Sequence, residues 1–152
     1  MRLALGLLLA AGTATAECRD DRVTIQGAFG EATFTVQVAD TGPERSQGLM
    51  NVPEMGTLVG MLFVYPEPGP ASFWMENTLI PLDMIFADAT GTIVTIHPDA
   101  VPMDRTPIPG GDAVQFVLEV NGGLADRLGL AVGDRMQHPA IQAAGQPALA
   151  CP

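Results

Sequence analysis

Between Ala32 and Ala39 the chain alternates without a break. Phe34, Val36 and Val38 fall on one side, and Thr33, Thr35 and Gln37 on the other. A period of two sends successive side chains to opposite faces of an extended backbone, so this segment predicts a half-buried β-strand. Turn residues bound it at both ends: Gly27 to Gly30 before, and Asp40-Thr41-Gly42-Pro43 after. The same grammar recurs. Val23-Thr24-Ile25 reads as a short strand, and the apolar run Gly60 to Tyr65 as a buried one. Ala71 to Met75 reads as another, beyond a rigid acidic loop from Pro66 to Pro70. Leu82 to Ala87 and Thr92 to Ile96 flank the turn Asp88-Ala89-Thr90-Gly91 and predict a hairpin. Residues 98–112 hold Pro98, Pro102, Pro107 and Pro109, and are expected to be a long loop outside regular sheet. Gln115 to Val120 is a strong strand, and Leu130 to Met136 a final one, entered through Gly133-Asp134. Two short helices complete the pattern. One runs from Pro43 toward Met50, capped by Asp40 or Thr41 with Glu44 favoured in its first turn. The other runs from Leu124 to Leu128, with Gly129 as its stop. From Pro139 onward, residues 139–152 read as an Ala/Gln/Pro tail. Seven or eight short strands with two short helices predict a mainly β chain: one compact β-sandwich or barrel-like domain.

Charge excludes several functions. Asp and Glu number 17 against 7 arginines, with no lysine, for a net charge of −10 over 152 residues. Nucleic acid and anionic lipid both demand clustered cations, so neither is an expected partner. A hydrophobic content of 47% rules out a disordered acidic tail. Met1-Arg2, the apolar run Leu3 to Ala11 and the Ala14-Thr15-Ala16 site together have the form of a secretory leader over residues 1–16. The run is too short to span a bilayer, and no later segment approaches that length. Glu17 stands between the expected cut and Cys18, unlike a lipoprotein, whose cysteine sits directly at the cut. The chain is therefore expected to be exported to the periplasm or beyond, with residues 17–152 as one domain. Its two cysteines, Cys18 and Cys151, lie near opposite ends, and an even count in an exported chain predicts a disulfide. The alternative is two unpaired or intermolecular thiols. No C-x-x-C pair supports redox chemistry.

The densest stretch is Phe73-Trp74-Met75-Glu76-Asn77-Thr78-Leu79-Ile80-Pro81-Leu82-Asp83-Met84-Ile85-Phe86. It resembles the signature of domain-of-unknown-function family 192. Other blocks agree in order: Val38-Ala39-Asp40-Thr41, Glu44-Arg45, Gly48-Leu49-Met50, Gly60-Met61-Leu62-Phe63, Val117-Leu118-Glu119-Val120 with Gly122, and Leu130 with Gly133-Asp134. The resemblance spans about residues 36–136. It implies a compact, mostly β domain with a sandwich or barrel core, often exported. The family carries no established activity, so the resemblance leaves mechanism open. One departure is Glu76, where the family often has a basic residue.

The candidate chemistry gathers around this signature. Trp74, the sole tryptophan, can stack on a sugar ring, with Glu76, Asn77, Thr78 and Asp83 as a polar rim. The plainer reading makes Trp74 core, with Asn77 and Thr78 bonding a turn and Asp83 held by an internal partner. The resemblance points to Arg45 as that partner. Glu44-Arg45 reads as helix-dipole complementarity and an ion pair, or as a ligand clamp. Asp83 and Glu119 are the one candidate carboxylate pair for glycoside hydrolysis. Metal binding is not expected. His97-Pro98-Asp99 lacks a third ligand, His138 stands alone, and Met50, Met55 and Met61 fit core filling. No phosphate loop, nucleophile elbow or cofactor motif is present, and no cofactor is expected. Three functions follow. The first is a non-catalytic binding or accessory protein of the cell envelope, taking a small polar ligand or an envelope glycan. The others are a glycan-active hydrolase using Asp83 and Glu119, and a structural module for a protein partner of unknown identity.

Overall fold

The structure is a computed structural model that describes residues 18–152. The leader read over residues 1–16 lies outside them. β1 (Arg22–Gly27) and β2 (Gly30–Ala39) form an antiparallel hairpin with Val23 opposite Phe34. α1 (Gly42–Gln47) follows, and β3 (Val59–Phe73) then returns parallel to β2. β4 (Leu82–Ala87) and β5 (Ile93–Ala100) form the expected hairpin, and β6 (Ile108–Asn121) runs antiparallel between β4 and β3. α2 (Leu124–Leu128), β7 (Arg135–Gln137) and α3 (Pro139–Ala144) end the chain. The result is a single seven-stranded sheet in the order β5-β4-β6-β3-β2-β1-β7. It curls until its edges meet, where Thr92 bridges Arg135 and the Ile93 amide donates to the Asp134 carbonyl.

Curling gives the sheet two buried faces. The inner face draws side chains from all seven strands, among them Ile25, Phe34, Leu62, Ile85, Ile93, Leu118 and Met136, and is closed by Leu124 of α2 and Ile141 of α3. The outer face of the central strands is covered as well: Met61, Phe63, Met84, Phe86 and Val117 pack under Leu49 and Met75. Every residue of β4 is consequently buried. Parity alone assigns the faces. Leu82, Met84 and Phe86 point outward from the curl, while Asp83, Ile85 and Ala87 point inward.

Several expected boundaries move. The Pro66–Pro70 loop and the separate Ala71–Met75 strand are one continuous β3. Its register against β6 slips between Val64 and Gly69 and twice more before Phe73, and these bulges take up the prolines. The 98–112 loop is shorter than expected because β5 continues through Pro98 to Ala100 and β6 begins at Ile108. β5 is an edge strand, where a missing amide costs no ladder bond. The final strand shrinks to Arg135–Gln137, since the Asp134 carboxylate accepts the Ala131 amide and holds a turn ahead of it. The supposed tail contains α3, a third helix. His138 caps it by accepting the Ala140 amide on Nδ1, while its Nε2 bonds the Asp20 carbonyl. No helix among the described residues is long and apolar enough to cross a membrane.

Cys18 and Cys151 are joined in a disulfide across 133 residues of sequence. Closing so long a loop restricts the unfolded chain by about 5 kcal/mol on the chain-entropy treatment, an upper figure. Reduction is expected to lower the urea midpoint without altering the folded-state spectrum. An unchanged midpoint would mean that the β1–β7 pairing and the Asp20–His138 contact hold the ends together without the disulfide.

Candidate functional site

A cavity of about 230 Å³ opens on the outer face of the sheet. One wall is the end of α1 and the residues after it, Arg45 to Met50. The opposite wall is β3, with Phe63, Tyr65 and Phe73. Trp74, Glu76 and Thr78 form the mouth, and Glu119 of β6 reaches in from beneath. Local sequence explains the α1 wall. Thr41 accepts the Glu44 amide while the Glu44 carboxylate accepts the Thr41 amide, a reciprocal cap that starts the helix. The same hydrogen bonds hold the Glu44 carboxyl below its ordinary value. Gly48 ends the helix at φ +48°, a left-handed conformation suited to glycine, with its Cα against the Phe63 ring.

Arg45 leaves this helix toward β3. Its Nη1 donates to the carbonyls of Asp40 and of Val64, the latter at 2.9 Å, and its guanidinium lies 5.0 Å from the centre of the Tyr65 ring. It makes no ion pair among the described residues. Glu119 is its chemical opposite. It is 4% exposed, it lines the cavity, and no hydrogen bond or salt bridge from the described residues offsets its burial. Desolvation pushes its carboxyl up to about 8, so it is protonated at neutral pH. Tyr65 lines the cavity with both. Burial raises its phenol, Glu119 adds to the rise and Arg45 opposes it.

The sequence candidates separate into those that reach this cavity and those that do not. Arg45, Trp74, Glu76, Thr78 and Glu119 line it. Trp74 is 46% exposed, so it is not core. Arg105 lies 5.8 Å from its ring and pairs with Glu76 at 3.3 Å. Thr78 is buried and its hydroxyl donates to the Glu76 carbonyl. Asn77 does not line the cavity. It turns the chain at φ +53°, and its carbonyl accepts the Asn51 amide. Glu44 is spent on the helix cap.

Asp83 corrects two expectations. It does not pair with Arg45. It is fully buried on the inner face, where its carboxylate accepts the amides of Asp99, Gly123 and Ala125 at 2.7–2.9 Å. Nor does it form a carboxylate pair with Glu119. In register Asp83 faces Val120, and Met84 faces Glu119. The two acids therefore project from opposite sides of the sheet. His97 lies half-buried on β5 opposite Met84. No cluster of three metal-ligating side chains exists among the described residues. Sequence reasoning missed Phe63, Tyr65 and Phe73. The available signal was parity, since Met61, Phe63 and Tyr65 share one face of a strand whose other face is core.

Residues 22–138 match the family DUF192, described as "Uncharacterized ACR". The chain belongs to this family. Two solved structures resemble this DUF192 chain closely. A protein of unknown function from Novosphingobium aromaticivorans is 43% identical, with 76% of this chain and 83% of that one covered and a TM-score of 0.75. A Sinorhizobium meliloti protein described as a "putative transcription regulator" is 40% identical, with 82% and 98% covered and a TM-score of 0.77. Among curated proteins, none matches the chain. The DUF192 signature thus supplies two different things here, an internal anchor at Asp83 and a cavity rim at Trp74, Glu76 and Thr78.

The two acids predict opposite mutational outcomes. Asp83→Ala strands three amides, that of Ala125 in a buried hydrogen bond, and is expected to cost about 3 kcal/mol in denaturant unfolding; a loss below about 1 kcal/mol would mean that water replaces the carboxylate. Glu119→Gln is expected to stabilise, increasingly so as pH rises. Between the ordinary value of 4.5 and about 8, the folded protein keeps a proton on Glu119 that the unfolded chain has released. Stability from this group is whole below that window and falls through it, by up to about 5 kcal/mol. His138, whose value burial lowers, slopes the other way toward acid pH and cancels in the variant-minus-wild-type difference. A difference that stays flat from pH 5 to 8 would contradict the assignment.

Proposed function

We propose that this protein is an exported, non-catalytic binding protein that holds a small polar molecule in the cavity beside α1. One observation carries the reading. A carboxyl 4% exposed, bonded to no group among the described residues, opens into a formed cavity lined by aromatic side chains. No sealed side-chain polar atom among the described residues lacks a partner, so the Glu119 oxygens keep access to the cavity, where a ligand can bond them. The volume of about 230 Å³ lies below the roughly 300–1,000 Å³ typical of drug-sized sites, which favours a ligand of one ring or a few polar groups. Trp74 offers an accessible aromatic face at the mouth, where a glycan ring can stack. The hydrolase reading loses its support, because Asp83 lies behind the sheet from Glu119. Export is supported by the leader-like residues 1–16 and by the Cys18–Cys151 bond. The regulatory description of the Sinorhizobium relative transfers poorly to a chain of net charge −10.

A second reading, a protein-partner module, draws on a different feature. Two loops run side by side at the cavity mouth, joined by the bonds Met75 N–H to Asp104 O and Met103 N–H to Thr78 O. They expose Trp74, Leu79, Val101 and Met103 together.

A thermal-unfolding panel of sugars, cell-wall fragments, carboxylic acids and amino acids separates the two. A cavity ligand at about a hundred times its Kd adds roughly 2.7 kcal/mol, a shift of several degrees. That shift is expected to come with a change in Trp74 emission and to shrink in Glu119→Gln. A panel without shifts, together with a stoichiometric co-purifying envelope protein, would replace the binding reading with the partner module.

A further inference from the structure

We infer that the cavity is built for a zwitterion of amino-acid size, with the ligand carboxylate on Arg45, its ammonium on Glu119, and an apolar side chain against Phe63, Phe73 and Trp74. The inference rests on the binding reading above and names the ligand class for that same site.

Three charged side chains line the cavity: Arg45, Glu76 and Glu119. Glu76 is already engaged by Arg105. The other two carry opposite potential charge and lack ionic partners among the described residues. Arg45 is half-buried and donates to carbonyls through Nη1 alone, which leaves Nη2 and Nε for a ligand. A guanidinium fork is suited to a carboxylate. Glu119 is more buried than Arg45, and Tyr65 lines the same cavity with its ring centre 5.0 Å from the Arg45 guanidinium.

Simpler ligands leave one group unserved. A plain carboxylate would satisfy Arg45 and take one bond from protonated Glu119, leaving the second oxygen of that acid unpaired. A plain amine would satisfy Glu119 and bring a second cation beside Arg45 without a counter-charge. A zwitterion serves both and carries no net charge into a desolvated site, where unbalanced charge is costly. The aromatic walls then receive the aliphatic or aromatic part of the ligand. Phe63 and Tyr65 line the same cavity, and an aromatic ring attracts an ammonium.

Proton balance supplies a signature. Near neutral pH the empty site holds Glu119 as the acid. When an ammonium docks, the carboxyl releases one proton to solvent and forms an ion pair, and the ammonium keeps its own three protons. The groups facing Glu119 are Arg45 from α1, Tyr65 from β3, Glu76 and Thr78 from the segment after β3, and the non-titrating Met61 and Met84 on either side. Tyr65, which burial raises, keeps its proton in this range, and Glu76 is paired with Arg105.

The test is calorimetry on the oxidised protein at pH 6.5, in two buffers of different ionisation enthalpy. L-leucine, L-methionine and L-phenylalanine are the probes, with N-acetyl-leucine and leucinamide as analogues lacking one charge each. At least one free amino acid is expected to bind, with release of up to one proton per site. Both analogues are expected to bind at least tenfold more weakly. Glu119→Gln is expected to lose affinity at least tenfold and to abolish proton release, and Arg45→Gln to lose affinity while keeping the release. An analogue that binds as tightly as leucine overturns the zwitterion, and so does proton release that persists in Glu119→Gln. If no amino acid binds while another compound of the thermal panel gives a Glu119-dependent shift, the ligand class is wrong and the binding site stands. If nothing binds, both readings fall.

Discussion

Three backbone amides converge on one carboxylate at Asp83, and much of the rest of the molecule is positioned by them. They come from Asp99 near the end of β5, from Gly123 and from Ala125 at the start of α2. The acid thus ties β4 to its edge neighbour and to the helix that closes the inner core. Amides at such bends have no strand partner, and a buried one without an acceptor is costly. With the anchor in place, Leu124 seals the curl from below and β4 stays flat against β6. The opposite face of β4 and β6 is then free to carry a second packed layer, and the cavity forms within that layer.

Asp83 and Glu119 lie one residue out of register on adjacent strands, yet their environments are opposite. Asp83 is saturated with donors, and Glu119 has none. A sheet wetted on one face would leave one of these acids in solvent. A curled sheet covered on both sides buries both, and only the local supply of donors separates structural ballast from a reactive or recognising group. The parity of β4 and β6 decides which acid meets which supply.

Much of this was legible in the residues. Strands whose side chains alternate, such as Ala32 to Ala39, announce themselves, because one face meets core and the other does not. The Leu82–Ala87 hairpin and the Leu124–Leu128 helix with its Gly129 stop were equally readable, since each is bounded by residues with one dominant local use. Strands that carry proline were not. Pro66 to Pro70 look like a break until the bulges of β3 are seen, and Pro98 becomes admissible only on an edge. α3 was hidden because it buries a single apolar side chain, Ile141, and depends on a histidine cap. At the site, Trp74 and Arg45 drew notice as residue types. Tyr65 did not, because its significance lies in what faces it across two strands. The facing of Asp83 and Glu119 needed the register, which no local pattern encodes.

The covalent link between Cys18 and Cys151 also defines how this domain transmits tension. A pull applied to the chain before Cys18 and beyond Cys151 travels through two sulfur atoms and never enters the seven strands between them. The sheet is shunted out of the mechanical circuit. In the reduced protein the same pull would load β1 and the short β7 first, peeling the curl from its seam, where the Thr92–Arg135 bridge and a few backbone hydrogen bonds join the sheet edges. Redox state therefore selects which bonds bear force, separately from how firmly the fold resists heat or denaturant.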